Sequence, residues 1–412
     1  GDGAGVIGWS TSFINGSGAA IVAGTGTIGD PDTGDRISEM TVALAQTFDG
    51  AFETLALSPL AQNLLSLNGL TLQVVNARKF IVGGLADASV YRAILDGAVY
   101  TNTDSSFSLS PSNRQVTVSV KDEHGLPSTI ATTTLVAQAN VADSTGINHF
   151  TGGVLADTIS GLGGNDLIHG GDGADLISGG SGNGNQLFGD GGDDIFVYGP
   201  SDGFATIDGG TGTNVIRASA GNVHIKLSAV SNVAAISADG HAGVVIDGSG
   251  FANTLDFSAV TLSGIEAIRG GGGADTIHGS QAGDVINGGF AADTLHGEGG
   301  DDVFLYNPGE GFDSFDGGDG FDSIQATANN LKIGIAALSS IERIDSNGHS
   351  NVWLIGTSTA NTFDFSTVEL VGIVRVDGAG GDDTLTGTAN ADSLIGNSGR
   401  DPLHGAGGND TL

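Results

Sequence analysis

An aspartate recurs at nine-residue intervals in three blocks of the chain, each time two places before a large apolar residue. The blocks start at Gly152, Gly270 and Gly378, and the aspartate is the sixth residue of each unit. The twelve aspartates are Asp157, Asp166, Asp175, Asp194, Asp275, Asp284, Asp293, Asp302, Asp383, Asp392, Asp401 and Asp410. Carboxylates beside glycine turns offer the oxygen ligands that hard cations such as Ca²⁺ prefer. The spacing therefore predicts a row of calcium ligands.

The residues around each aspartate indicate the elements that hold it. Six glycine-rich residues predict a tight turn, because glycine reaches positive φ without a Cβ clash. The next three residues predict a short strand whose central apolar side chain points inward. Two units complete a flattened coil, so stacking brings aspartates and turn carbonyls of neighbouring coils together. One ten-residue unit departs from the pattern, with Asn185 nearest the sixth position.

Stacked carboxylates repel one another, and this repulsion predicts folding that is coupled to metal binding. The competing interpretation, a solvated acidic face, leaves the fixed register between aspartate and apolar residue unexplained. The consensus GGxGxDxUx resembles the calcium-binding nonapeptide repeat of RTX proteins. The resemblance implies a parallel β-roll with Ca²⁺ as its cofactor. It also implies one-step secretion from a Gram-negative cell and folding outside it.

A second, longer period lies above the first, since 189–296 aligns with 297–404 without a gap. We call this shift the long period. Between the blocks, short β-type runs predict further solenoid coils, and a small β-sandwich is the alternative. His241 and His349 each follow glycine and are interpreted as turn residues. The predicted boundaries are a linker tail (1–9), a β-sandwich (10–143), rolls at 144–197, 270–305 and 378–412, and spacers at 198–269 and 306–377. The last roll stops within a unit, so we expect a fragment of a longer protein.

The chain before Asn140 lacks the aspartate repeat and shows strand-like alternation. Strands are predicted at Ala20–Ala23, Met40–Leu44, Thr71–Val75, Ala98–Thr101, Arg114–Asp122 and Thr129–Gln138, with helices around Ser58–Ser66 and Ala86–Leu95. Ile14–Leu44 and the segment from Val90 resemble cadherin-like domains of large bacterial adhesins. The predicted fold class is therefore all-β, a cadherin-like sandwich followed by a parallel β-solenoid. Asp30, Asp32 and Asp35 cluster in one turn as a calcium site or an Asx-turn.

Composition excludes several functions. The 412 residues hold 72 glycines, no cysteine, and 47 acids against 13 bases, for a net charge of −34. Of the acids 39 are Asp. This charge opposes nucleic-acid binding, which needs clustered Lys and Arg. Absence of cysteine excludes disulfides and cysteine-ligated zinc, and no apolar run has the length of a membrane span.

Motifs for several catalytic classes are missing, which predicts a chain that is not an enzyme. Neither the HExxH zinc motif, the GxSxG elbow, a P-loop nor a dinucleotide fingerprint occurs. We expect a secreted, calcium-binding structural or adhesive protein at a Gram-negative cell surface, forming a rod, fibre or surface layer. Its expected partners are calcium, copies of itself and a cell-surface or host ligand. The alternatives are the calcium-folding tail of a secreted protease, lipase or epimerase, or a toxin.

Overall fold

The computed structural model describes residues 36–45, 53–100, 115–127, 149–152 and 156–412 in full. It also gives the backbone of the remaining strands named below. The chain divides into two compact units, which comprise Gly1–Leu162, Asp166–Ile177 and Gly189–Asp194 in the first, and Gly163–Asn165, Ser178–Phe188 and Ile195–Leu412 in the second. Asp30, Asp32 and Asp35 lie outside the described residues, so the calcium site suggested there stays a prediction.

The N-terminal part of the first unit is built from largely antiparallel sheets. Its elements are β1 (Gly5–Val6), β2 (Ser10–Ile14), β3 (Gly18–Ala20), β4 (Ile28–Gly29), β5 (Ile37–Leu44), β6 (Glu53–Leu57), α1 (Pro59–Leu67), β7 (Thr71–Asn76), β8 (Lys79–Ala86), α2 (Ala88–Leu95), β9 (Ala98–Asn102), β10 (Arg114–Asp122) and β11 (Ala131–Gln138). The sheets have the orders β2-β11-β10-β5-β8-β7, β3-β9-β6 and β1-β4. Only the β2–β11 pair among them is parallel.

These elements confirm most of the local predictions. Both helices form, and Ser58 caps the N-terminus of α1, where its hydroxyl oxygen accepts a hydrogen bond from Ala61 N at 3.3 Å. The strand predicted over Arg114–Asp122 has those bounds. Of the strand predicted at Ala20–Ala23, Ala20 ends β3 and the rest lies outside the described residues. The antiparallel sheets are consistent with the predicted β-sandwich.

Alternation along the strands produces the core of this part. In β10 the residues Val116, Val118 and Val120 are buried and face one side of the sheet. They join side chains from β5, β6, β8, β9 and both helices in one hydrophobic cluster. Tyr91 and Tyr100, the largest side chains there, are fully buried. This cluster holds the antiparallel sheets together without any aspartate repeat.

From Asn140 onward the strands are short and parallel. They are β12 (Asn140–Ala142), β13 (His149–Thr151), β14 (Thr158–Ser160), β15 (Leu167–His169), β16 (Leu176–Ser178), β17 (Asn185–Phe188), β18 (Ile195–Tyr198), β19 (Ala205–Asp208), β20 (Val215–Ala218), β21 (His224–Ser231), β22 (Ala235–Ser237), β23 (Val245–Asp247), β24 (Thr254–Asp256), β25 (Thr261–Ser263), β26 (Ala267–Gly272), β27 (Thr276–His278), β28 (Val285–Phe290), β29 (Thr294–His296), β30 (Val303–Tyr306), β31 (Phe312–Asp316), β32 (Ser323–Ala326), β33 (Lys332–Ser339), β34 (Arg343–Asp345), β35 (Val352–Ile355), β36 (Thr362–Asp364), β37 (Glu369–Val371), β38 (Ile373–Asp377), β39 (Thr384–Thr386), β40 (Leu394–Ile395) and β41 (Leu403–His404). They form a parallel β-solenoid of about 13 turns.

Four sheets make up this solenoid. Sheet I is β12-β14-β16-β18-β20-β22-β25, sheet II is β13-β15-β17-β19-β21-β23-β26-β28-β30-β32-β34-β37, sheet III is β24-β27-β29-β31-β33-β35-β38-β40, and sheet IV is β36-β39-β41. Sheet II runs through the region predicted as spacers, which confirms that they are solenoid coils and not separate sandwiches. Sheet I ends at β25 beside the start of sheet III at β24. Sheet II ends at β37 beside the start of sheet IV at β36. This replacement of one sheet by another, which we call the exchange of sheets, therefore recurs after one long period.

The eighth residue fills the interior in most units, as predicted. Ten of the twelve are at most 1% exposed, and they are Ile159, Ile168, Ile177, Phe196, Ile277, Ile286, Leu295, Phe304, Leu385 and Leu394. The other two lie in the last coil, where Leu403 is half-buried and Leu412 is 62% exposed. Aromatic residues reinforce the stack, since Phe304 meets Phe315 edge to face with ring centroids 5.6 Å apart. In the part of the chain that the structure describes, neither helix has the length and hydropathy of a membrane span.

Truncating this interior is expected to destabilise the solenoid strongly. Phe304→Ala removes a fully buried ring and should lower the free energy of unfolding by about 3–5 kcal/mol. Phe290→Ala is the matched control, because Phe290 is 65% exposed. Urea unfolding in saturating calcium, followed by circular dichroism, measures both. Equal losses for the two variants would contradict the placement of Phe304 in the core.

Candidate calcium-binding turns

The sixth-position aspartates form hydrogen-bonded ladders along the stack. The backbone N–H of Asp275 donates to Asp293 Oδ1, one coil further on, at 2.8 Å. Asp284 N donates in the same way to Asp302 Oδ1 at 2.7 Å. Successive parallel strands lie about 4.8 Å apart, so the carboxylates are stacked at nearly that spacing. Each ladder therefore concentrates negative charge along one edge of the solenoid.

The structure brings at least eleven of the twelve predicted aspartates into such ladders. They are Asp157–Asp175–Asp194, Asp275–Asp293, Asp284–Asp302, Asp383–Asp401 and Asp392–Asp410, with N···O distances of 2.7–3.0 Å. Asp166, the twelfth, is 1% exposed and belongs to the nonapeptide between those of Asp157 and Asp175. The predicted residues thus take part in the same kind of ladder, although they come from three separate blocks of sequence.

The ladders also contain residues that the sequence analysis did not select. Asp293 N donates to Asp313 Oδ1 at 2.9 Å, and Asp302 N donates to Asp322 Oδ1 at 2.8 Å. Asp322 N then donates to Glu342 Oε2 at 2.8 Å. All three lie in the predicted second spacer. The signal was present for Asp322, because Gly317–Gln325 reads GGDGFDSIQ and fits the nonapeptide consensus.

The second oxygen of many ladder carboxylates is buried without a hydrogen-bond partner. This holds for the Oδ2 atoms of Asp175, Asp275, Asp293, Asp302, Asp322 and Asp383. Burying a charged oxygen without a partner is costly. The fold therefore presents a series of buried carboxylate oxygens that have no hydrogen-bond donor among the described residues.

The pKa values of these carboxyl groups are raised because the groups are buried. Burial, together with the charges of Asp157 and Asp194, raises the pKa of Asp175 to about 7. Burial is likewise the main cause that raises the pKa of Asp302 to about 7, and neighbouring carboxylates add to it. The pKa of Asp275 rises to about 6 and that of Asp313 to about 8, with burial again the leading cause. Burial also raises the pKa of other ladder members, namely Asp194, Asp284, Asp293, Asp322 and Asp383.

Asn185 shows what kind of partner the turn accepts. Its Nδ2 donates to the carbonyl oxygens of Gly180 and Gly182, in its own turn, at 3.4 and 3.2 Å. Aspartate has no donor to offer such carbonyls. At Gly270, an added Cβ would meet both the Gly288 carbonyl oxygen and Asp275 Oδ2, so these two acceptors border the same small space. A cation would serve both acceptors, and an oxygen-only donor set fits Ca²⁺.

Side chains alone do not assemble a metal site. Among the described residues, no three His, Asp or Glu side chains come together as a group that could hold a metal ion. Calcium accepts backbone carbonyls as ligands, and the glycine turns supply these.

His241 is exposed, and its backbone N–H donates to the Ala238 carbonyl at 3.0 Å. His349 is half-buried, and its backbone N–H donates to the Ser346 carbonyl at 2.9 Å. Both are turn residues, as predicted.

Adding a methyl group at the first glycine of a unit is expected to weaken the turn. Gly270→Ala would force its Cβ against the Gly288 carbonyl and Asp275 Oδ2, so the calcium concentration at the folding midpoint should rise several-fold. Gly250→Ala is the control, because nothing lies within 4 Å of its added Cβ. Calcium titration by circular dichroism compares them, and a midpoint that Gly270→Ala leaves unchanged would contradict this geometry.

Comparison with known proteins identifies the repeat. The model of the RTX calcium-binding nonapeptide repeat matches residues 151–185, 201–222, 208–226, 262–290, 269–304, 307–330 and 377–412. The matches overlap all three predicted rolls and extend into both spacers, and the match at 307–330 contains Asp313 and Asp322. A search of curated proteins found no match. The chain thus carries RTX calcium-binding nonapeptide repeats, wound into a parallel β-solenoid.

Proposed function

We propose that this chain is a secreted, non-catalytic structural or adhesive protein of a Gram-negative cell surface that folds when Ca²⁺ binds its turns. The carboxylates assigned to calcium are the twelve sixth-position aspartates of the sequence analysis, together with Asp313 and Asp322. The observation that carries the proposal is the row of buried Oδ2 atoms without hydrogen-bond partners, as at Asp275, Asp293 and Asp302. Bound calcium would supply the positive charge that these oxygens lack.

The protein's own residues prepare each turn for the ion. The ladder bond from the preceding coil fixes one carboxylate oxygen, as Asp275 N does for Asp293 Oδ1. The other oxygen is thereby directed to the glycine turn of its own unit, where an added Cβ at Gly288 would meet it. Asp suits this position because its short side chain keeps the carboxylate within its turn, whereas Glu would reach past it. Calcium binding and coil stacking are therefore one event.

The continuous parallel sheets support a structural role. The interior is filled by apolar residues, and the two exchanges of sheets are one long period apart. Repetition of this kind is typical of proteins that extend by adding modules. Copies of the same chain and a cell-surface or host ligand are the proposed macromolecular partners. Calcium is scarce in the cytosol and abundant outside, so calcium-dependent folding suits secretion in an unfolded form.

Isothermal titration calorimetry tests the calcium proposal, and electron microscopy tests the structural one. We expect several ions to bind per chain, with a gain of β circular dichroism, and ordered assemblies that dissolve on chelation. A chain that binds no calcium at millimolar concentration would refute the calcium assignment. Monodisperse monomers in calcium would refute assembly while leaving the calcium assignment intact.

A further inference from the structure

A second kind of turn occurs within the same nonapeptide framework. Four units carry Ser or Thr at the second position, where other units have Gly or a variable residue. They are the units of Ser249, Ser280, Thr357 and Thr388, which we call the hydroxyl-headed turns. Ser249 and Thr357 are one long period apart, and so are Ser280 and Thr388, which means that every module repeats the same two positions.

In these turns the chain itself satisfies the sixth residue. Ser280 donates to Asp284 Oδ2 from its backbone N at 2.6 Å and from its hydroxyl at 2.9 Å. Thr388 does the same to Asp392 Oδ2, at 2.7 and 3.0 Å. The hydroxyl oxygen also accepts a hydrogen bond from the amide two residues on, at 3.2 Å in Ser280. The oxygen that is unpartnered elsewhere therefore has two donors here.

The backbone of the second residue separates the two kinds of turn. In the other units whose second residue the structure describes, this residue has positive φ, even where it is not glycine: Glu298 at 74°, Ala379 at 69° and Asn397 at 66°. The four hydroxyl-headed residues are absent from the positive-φ residues of the described chain. Side chains with a Cβ adopt positive φ at a cost, and β-branched Thr most of all. Ser and Thr thus specify the alternative turn through conformation as well as hydrogen bonding.

The sixth residue of two hydroxyl-headed turns carries no charge at all. Ser249 donates to Asn253 Oδ1 at 2.7 Å from its N and at 3.0 Å from its hydroxyl. These are nearly the distances found between Ser280 and Asp284. An amide oxygen therefore takes the place of a carboxylate oxygen without changing the turn. A geometry that accepts a neutral side chain does not depend on a bound cation.

The hydroxyl-headed turns stand at the beginning of the ladders. Asn253 precedes Asp275, Asp284 precedes Asp302, and Asn361 precedes Asp383, each donating its backbone N to the next carboxylate at 2.7–2.8 Å. Asp392 likewise precedes Asp410. We propose that these four turns, closed by the hydroxyl of the second residue and in three of them also by its backbone amide, take no calcium, so that each such ladder starts at a calcium-independent turn. This proposal rests on the proposed function and narrows it, since it removes Asp284 and Asp392 from the carboxylates assigned to calcium there.

The test compares two aspartates of one ladder in the full chain. Asp302→Asn is expected to reduce the number of calcium ions bound, measured by isothermal titration calorimetry, whereas Asp284→Asn should leave the number unchanged. Circular dichroism in saturating calcium checks that both variants fold. Equal losses from the two substitutions would overturn the proposal while the calcium assignment stands. If the wild-type chain bound no calcium, the proposed function would fail and this division with it.

A second variant guards against a folding defect in Asp302→Asn. Ser280→Gly removes both the hydroxyl and the barrier to positive φ but keeps the Asp284 carboxylate. It should convert the turn to the common kind, so the chain should bind more calcium or fold only at a higher calcium concentration. A calcium stoichiometry and a folding midpoint that both match the wild type would count against the proposal.

Discussion

Chelation of calcium is expected to unfold the solenoid while the antiparallel sheets of residues 37–138 stay folded. The ladders hold buried carboxylate oxygens without partners, such as those of Asp302 and Asp322. Without a cation their charges repel at a spacing of about 4.8 Å. The antiparallel sheets depend instead on a hydrophobic cluster that includes Tyr91 and Tyr100. Calcium removal should therefore cost one part of the chain its structure and spare the other.

The measurement uses circular dichroism and tryptophan fluorescence. The chain has two tryptophans, Trp9 and Trp353, so Trp9→Phe leaves a reporter within the solenoid. Trp353 lies under the Arg375 guanidinium, 4.7 Å from the ring centroid, and unfolding should alter its emission. Replacing calcium by magnesium is the control, because Mg²⁺ gives up its water reluctantly. A Trp353 signal that EGTA does not change would contradict the prediction.

Acid is expected to restore part of the fold that chelation removes. The pKa values of Asp175, Asp275, Asp302 and Asp313 are raised to about 7, 6, 7 and 8. A carboxyl whose pKa is higher in the folded chain than in the unfolded chain binds more protons when folded. Between the ordinary value of 3.8 and the raised values, the stability of the calcium-free chain therefore falls as the pH rises. Protons should partly replace calcium at about pH 5, and their effect should be lost by about pH 8.

Circular dichroism in EGTA across pH 4–9 checks this expectation. When calcium is present, lowering the pH should weaken calcium binding, since protons compete with calcium for the same oxygens. The calcium midpoint should therefore rise as the pH is lowered from 8 to 5.5. A calcium-free solenoid that loses structure as the pH falls from 8 to 5 would contradict the raised pKa values.

The sequence was sufficient to predict the coils because two local signals agreed. Glycines marked the turns, and the eighth-position residues, such as Ile277 and Phe304, marked the interior. The strand Arg114–Asp122 was equally predictable, because alternation along a half-buried strand is a local property. Assignment of the antiparallel part to a named domain family went further than its strands allow, and that part of the prediction stays a resemblance.

The site was harder to predict, since part of it depends on contacts between coils. Asp313 and Asp322 were missed because they lie outside the three blocks, in a segment that was interpreted as a spacer. The structure places them in the ladders, because they accept hydrogen bonds from Asp293 and Asp302. The difference between Asp284 and Asp302 is similar, because both occupy the same place in the repeat. They differ in the second residue of the unit, Ser280 against Glu298, and in the contacts of the Ser280 amide and hydroxyl with Asp284 Oδ2.

The exchange of sheets has a mechanical consequence. Where sheet I ends at β25, sheet II continues through β23, β26 and β28, and where sheet II ends at β37, sheet III continues through β35, β38 and β40. The sheets thus end at different coils, so that one sheet is always continuous where another ends. A load that pulls one module from the next must break a ladder of backbone hydrogen bonds in the sheet that bridges them. Modules joined in this way can be added in series without a weak seam between them.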